Sequence, residues 1–131
     1  MTIRMQKDEI DLTSLLVTSR SEKAGARVIF IGDVRDDGID SLDIEADVNI
    51  AESDLTKLAK EACDQYHVLS VDIVHRYGRL AVGEIIVVIV VTAGHRDEAY
   101  AASRHIIEKI KEYVPIWKRE VINGKFGNWC H

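Results

Sequence analysis

The longest apolar run in the chain is Ile85 to Val91, in which every residue is isoleucine or valine. A membrane-spanning helix needs about 20 apolar residues, whereas a strand needs only about five or six. The run therefore reads as a strand, within Glu84 to Thr92, in which β-branched side chains pack well. The chain has 131 residues, 47% of them hydrophobic, enough to bury one core. No repeat, low-complexity tract or Pro/Gly-rich linker divides it, and its only proline is Pro115. Residues 1–131 are therefore expected to form a single domain.

Seventeen basic side chains stand against 22 acidic ones, a formal charge of -5. That balance excludes general electrostatic binding of nucleic acid, so any anion site must be local. Cys63 and Cys130 have no neighbouring ligand at zinc spacing and cannot form a disulfide framework, so a reducing, cytoplasmic setting is expected. The N-terminus lacks the apolar segment of a signal peptide.

The order of elements predicts an α+β fold with antiparallel pairing. A short N-terminal strand precedes a brief helix near Asp11 to Val17, with Asp11 as N-cap. Ala26 to Arg35 is nearly continuous in apolar character, as for a strand covered on both faces. It ends at the turn Asp36-Asp37-Gly38, and Ser41 to Val48 alternates as a strand with one wet face, so the two could form a hairpin. Leu55, Leu58, Ala59, Ala62 and Tyr66 give Glu52 to Tyr66 the stripe of an amphipathic helix. Strands Val68 to Tyr77 and Glu84 to Thr92 follow, then a long helix from about His95 to Tyr113 with Ala99, Ser103, Ile106, Ile107 and Ile110 on its apolar side. Pro115 disfavours helix at Val114, so the chain turns there into a strand over Ile116 to Val121, closed by an Asn123-Gly124 hairpin signal before Lys125 to Trp129.

Five scattered histidines with no HxxxH pair and no Cys-rich knuckle argue against a built-in metal site. Cys130-His131 reads as an incidental tail. No glycine-flanked nucleophile elbow or phosphate loop is present. What stands out is cations at the ends of elements: Arg35 after a strand, His95 and Arg96 at a helix start, Lys111 in that helix's last turn, and Lys118 beyond Pro115. Exposed amides at a helix N-terminus, backed by imidazole and guanidinium, suit phosphate or carboxylate. A cation in a first helical turn also opposes the macrodipole, an odd choice for stability alone. Lys111 lies one turn after Ile107, beside the apolar stripe, an environment that can lower a lysine pKa. Lys118 shares a strand face with Ile116 and Glu120, while Trp117, Arg119 and Val121 point the other way.

Arg96 and Lys111 are fifteen positions apart on one helix, so their α-carbons are separated by roughly 22 Å. One small ligand cannot touch both within a chain. If both serve one substrate, the site lies between two copies of a twofold homodimer, with His95 and Arg96 from one subunit and Lys111 and Lys118 from the other.

Four ordered motifs carry a resemblance: Gly32-Asp33-Val34-Arg35; His75-Arg76-Tyr77-Gly78-Arg79-Leu80 with Gly83-Glu84; Gly94-His95-Arg96 with Ala99; and Lys111 with Pro115-Ile116-Trp117-Lys118-Arg119-Glu120. In that order and spacing, over about Gly25 to Trp129, the chain resembles the large, catalytic subunit of molybdopterin synthase, the MoaE family. The resemblance implies an α/β hammerhead fold and a central homodimer with a small ubiquitin-like sulfur carrier at each end, a heterotetramer. It further implies a sulfurtransferase of molybdenum cofactor biosynthesis. In that activity the carrier's C-terminal thiocarboxylate donates sulfur to cyclic pyranopterin monophosphate (precursor Z), and two transfers build the dithiolene of molybdopterin. No metal or other cofactor is implied for this step.

Carried over by position, Arg35, His95 and Arg96 would hold the pterin phosphate and carrier carboxyl group, Lys111 and Lys118 would assist sulfur transfer, and Ile107 would be a pocket wall. The sequence departs from its relatives at Glu45-Ala46-Asp47-Val48-Asn49, where they often carry aromatics, and in a short tail without an arginine beyond Trp129. Two other readings use the same residues: a non-catalytic dimeric module that binds an anionic metabolite, and an inactive paralogue that keeps only the partner interface.

Overall fold

The computed structural model describes all residues, Met1 to His131. Eleven elements follow in the order β1 (Ile3–Gln6), α1 (Leu12–Thr18), β2 (Ala26–Asp33), β3 (Ser41–Ala46), α2 (Val48–Tyr66), β4 (Ser70–Arg76), β5 (Gly78–Ala81), β6 (Ile85–Ala93), α3 (Arg96–Tyr113), β7 (Ile116–Ile122) and β8 (Lys125–Phe126). They build two four-stranded sheets, one ordered β1-β4-β6-β2 and the other β5-β3-β7-β8. All pairings are antiparallel except β1 with β4. No helix is long and apolar enough to cross a membrane.

The run Ile85 to Val91 is the heart of the first sheet. In β6, Val87, Ile89 and Val91 join the main core with α2 and α3, while Val88 and Val90 meet Leu15 of α1 and Val74 of β4 on the other side. Both faces are covered, so both parities are apolar. Within the main core, Leu55 and Leu58 of α2 are buried to 0% and 1% exposure. Burial of each such side chain stabilises by about 1.5–3 kcal/mol.

β2 departs from the sequence expectation. It is an edge strand paired only with β6, and its residues alternate between half-buried and exposed. Val28 and Phe30 pack against the core, but α1 is too short to reach across the opposite face, where Ile29 and Ile31 stay exposed. Nor do β2 and β3 form a hairpin, for they belong to different sheets, and β3 is held by β5 and β7. β3 also stops at Ala46, earlier than the alternation suggests. The Asp47 carboxylate accepts from the Ile50 N–H at 3.3 Å and starts α2 at Val48, so the N-cap ends the strand.

α1 opens at Asp11 as expected, its carboxylate accepting from the Ser14 N–H at 3.0 Å. α3 ends where Pro115 demands: Val114 is extended, at φ -68° and ψ 133°. The Asn123-Gly124 turn has φ of 52° and 74°, the left-handed pair of a type I′ hairpin.

Candidate active site

Where β2 leaves its sheet, the register slips between Gly32 and Asp33. A side chain at Gly32 would bring its Cβ to 2.9 Å from Val87 Cγ1, so glycine lets the two strands lie close at the bulge. The Val34 N–H then donates to the Glu84 carbonyl at 2.9 Å, and Val34's own carbonyl accepts from Gly83 N–H at 2.8 Å. These bonds carry Asp33 and Arg35 across to the second sheet.

There they meet two lysines. A recess of about 380 Å³ is lined by Asp33, Arg35, Lys111, Lys118 and Glu120, with Leu42 among its apolar walls. The tight turn at Pro115 joins the last turn of α3 to β7, which is why residues seven positions apart share one hollow. Arg35 is 83% exposed at its side chain and pairs with Asp37 at 2.9 Å. Lys111 is exposed and Lys118 half-buried.

The sequence pointed to Lys111 as the lysine beside apolar surroundings, but Lys118 is the desolvated one. It stands on the inner face of the second sheet, opposite Ile44 of β3. It makes no ion pair, although Glu120 lines the same recess. Burial, and secondly the charge of Lys111, holds its pKa below the ordinary lysine range. β7 is an inner strand of its sheet, so Lys118 is no edge charge.

A second recess of about 580 Å³ opens on the other side of Lys118, between β7 and the C-terminal tail, with Asn123, Phe126, Asn128 and Cys130 among its walls. Lys118, Leu42 and Glu120 belong to both hollows. One amine thus reaches two spaces.

His75, from the second motif, lies under this region. It is 2% exposed, and its Nδ1 is 2.7 Å from the Arg76 carbonyl, which fixes Nδ1–H as donor. Burial pushes its pKa down to about 4, against that hydrogen bond, and the nearby Lys118 charge adds to the effect. The motif's other members brace the frame: Arg76 donates to the Lys7 carbonyl at 2.8 Å and pairs with Glu84 at 3.5 Å.

His95 and Arg96 lie at the opposite end of α3. His95 is the N-cap residue without a side-chain cap, and Arg96 is exposed with no ion pair. Arg35 therefore sits with the lysines and not with them. Ile107 does not line the lysine recess either. It faces an apolar hollow of about 570 Å³ with Val28, Phe30 and Tyr100, over the open side of β2. The tail also differs from its reading as incidental. Lys118 and Cys130 exchange both backbone hydrogen bonds at 2.7 Å, and the His131 ring lies tilted against Trp117 and bonds the Val114 carbonyl.

Sequence reasoning placed Glu120 on the face of Lys118 but passed over Asp33, His75 and Cys130 as its neighbours. Face-sharing along β7 was the available signal for Glu120. The others come from different elements and need the tertiary fold. No three metal-ligating side chains converge anywhere.

A family model described as MoaE protein matches residues 5–113. The chain belongs to the MoaE family. A relative from Thermoplasma volcanium named molybdopterin synthase catalytic subunit is 37% identical over 97% of this chain and 96% of its own length. One of the same name from Staphylococcus epidermidis is 43% identical over 77% and 70%. Among solved structures, molybdopterin synthase from Staphylococcus aureus superposes with a TM-score of 0.91 at 33% identity, over 98% of this chain and 96% of that one. This MoaE-family chain thus shares its two-sheet α+β fold with a molybdopterin synthase chain.

Proposed function

We propose that this protein is the catalytic subunit of a molybdopterin synthase, a cytoplasmic enzyme folded as one domain that takes sulfur from a thiocarboxylated carrier and places it on cyclic pyranopterin monophosphate. The observation that carries the reading is Lys118, a desolvated amine in the wall between two recesses, with Arg35 and Lys111 beside it. The smaller recess, where Arg35, Lys111 and Lys118 stand among the carboxylates of Asp33, Asp37 and Glu120, takes the phosphorylated heterocycle in this reading, and the larger one, open along the tail, takes the carrier's extended C-terminus. The relatives' shared name, catalytic subunit, speaks for a second subunit.

Opening a cyclic phosphate and expelling a carrier carboxylate both build negative charge. Fixed cations already in place stabilise it without reorganising. A lysine whose pKa is depressed by burial also exchanges a proton closer to neutrality than an ordinary one, so Lys118 is the proton carrier and Lys111 the electrostatic partner. Sulfur comes from the carrier, and no metal or cofactor takes part.

The homodimer is supported by the open flank of β2. Exposed Ile29 and Ile31, an unpaired strand edge and the apolar hollow beneath Tyr100 form a surface that a second copy would cover. Ser103 and Arg104 line that hollow, midway along α3 between Arg96 and Lys111. A twofold axis there lays the partner's helix antiparallel and sets the partner's Arg96 beside Lys111, so the first-turn cations complete the phosphate site from the neighbouring subunit. Ile107 then walls the interface and not the lysine recess.

The test is to mix the purified protein with a thiocarboxylated carrier and cyclic pyranopterin monophosphate and to look for the dithiolene by mass spectrometry. Formation of the two-sulfur product supports the assignment. Binding of the pterin with no sulfur incorporated overturns it in favour of an anion-binding module.

A further inference from the structure

The C-terminal tail runs beside β7 in a broken register. Val121 opposes Phe126 and the Gly127 N–H donates to the Glu120 carbonyl, but Lys118 opposes Cys130, so the tail carries one extra residue between these pairs. In a regular strand Phe126 and Trp129 would point to opposite faces, because side chains alternate. The extra residue puts both rings on the face of Arg119. The guanidinium carbon of Arg119 lies 4.0 Å from the Phe126 ring and 4.3 Å from the Trp129 ring. Its Nε also donates to Asp43 at 3.3 Å, and Arg79 holds the same carboxylate at 2.7 Å. Such a stack has a driving force of its own, since a cation between aromatic faces is attracted to both.

The same bulge acts on the other face of β7. Directly opposed residues of an antiparallel pair point the same way, so Cys130 stands next to Lys118, which has Ile44 on its other flank. Both backbone polar groups of Lys118 are taken by Cys130. We propose that Trp129 is a positioning residue: by locking the tail onto Arg119 it holds Cys130 against Lys118, fixing the amine between its two recesses and shutting water from one side of it. The titratable groups around Lys118 are Asp33 of β2, Arg35 and Asp37 just after it, Lys111 of α3, Arg119 and Glu120 of β7, Lys125 of β8, Cys130 of the tail and the imidazole of His75 in β4. None of these is substituted in a Trp129 variant, so a change at Lys118 reports release of the tail.

The experiment uses the full chain with its lysines reductively methylated with ¹³C, the Lys118 resonance being assigned by its absence in Lys118→Arg. In the unsubstituted protein Lys118 titrates below the other lysines. In Trp129→Ala its midpoint rises toward theirs, as hydration of the ammonium requires. Trp129→Phe keeps the low midpoint. Deletion of Asn128 is the control: it removes the extra residue, sets Phe126 and the tryptophan two positions apart on the face of Arg119 in regular register, and keeps the low midpoint. An unchanged Lys118 midpoint in Trp129→Ala overturns the proposal.

For turnover the inference rests on the synthase reading above. There Trp129→Ala lowers kcat about tenfold with little change in KM for the pterin, and moves the limb of the pH profile set by Lys118 upward. If the unsubstituted protein forms no dithiolene, the synthase reading fails while the titration still decides the positioning role.

Discussion

Lys118 and Arg119 are neighbours on one strand and have opposite fates. Arg119 points to the outer face of the second sheet and finds everything a cation needs: a carboxylate shared with Arg79 and two aromatic rings. Lys118 points inward, is largely desolvated, has another cation as a neighbour and pairs with no carboxylate. A fold selected only for stability would not keep the second arrangement, since an unpaired ammonium out of water is costly. The outer face therefore reads as scaffold and the inner face as chemistry.

The sharpest way to break that contrast is to remove each cation. Lys118→Ala is expected to lower turnover by at least about a hundredfold, in the range lost when a general acid–base group is removed. The melting temperature should stay level or rise, because no ion pair is lost. A variant that is destabilised yet active would reverse the roles assigned to the two faces. Thermal unfolding and the mass-spectrometric assay, run on one preparation, check both halves.

The next test asks whether the inner face is finished by a neighbouring subunit. Arg96→Ala and Lys118→Ala are each expected to be inactive alone. If one site draws Lys118 from one copy and Arg96 from the other, random exchange makes half of the dimers mixed, each with one intact site. The mixture then recovers about a quarter of full activity. No recovery after demonstrated subunit exchange would mean that activity needs both residues from the same copy, and would overturn the shared site.

A third test concerns the imidazole beneath the inner face. His75 has its pKa lowered to about 4 from 6.5, so between those values the unfolded chain binds a proton that the folded one does not. Its contribution to stability is present above about pH 6.5 and is lost as pH falls toward about 4, by at most about 3 kcal/mol. His75→Gln should flatten the stability curve over that window. Denaturant unfolding at a series of pH values measures the slope, and an unchanged slope would show that His75 is accessible to protons in the folded state.

The two faces also differ in how far they were legible. Alternation along Ile116 to Val121 placed Lys118 and Arg119 on opposite sides, and Pro115 fixed the turn that brings Lys111 near. Local rules sufficed there because strand parity and proline geometry need no tertiary information. They failed for β2, whose apolar run looked doubly covered. Sequence records apolar character but not whether the covering is a helix of the same chain or a second copy. The hairpin with β3 failed for a related reason, since β3 has a choice of antiparallel partners and takes the two in its own sheet. The four-element cluster of Asp43, Arg79, Arg119 and Trp129 was invisible because its members are brought together by register and by one bulge.

The smallest expected effect lies on the outer face. Asp43 is 13% exposed at its side chain and is held by Arg79 at 2.7 Å and Arg119 at 3.3 Å. The hydrogen bond from Arg79 leads in lowering its pKa below 3.8, that from Arg119 and the charges of both arginines add to it, and partial burial opposes it. A depressed carboxylate contributes stability above its ordinary value and loses it as pH falls through the lowered one, so the contribution disappears only below about pH 4. Arg79 remains 58% exposed, which screens its share. Asp43→Asn should therefore cost about 1 kcal/mol at neutral pH and nothing in strong acid. Because Arg119 would keep its two rings, the tail should stay in place and Lys118 should titrate as before. A Lys118 shift in Asp43→Asn would mean that the carboxylate, and not the aromatic stack, carries the coupling between the two faces of β7.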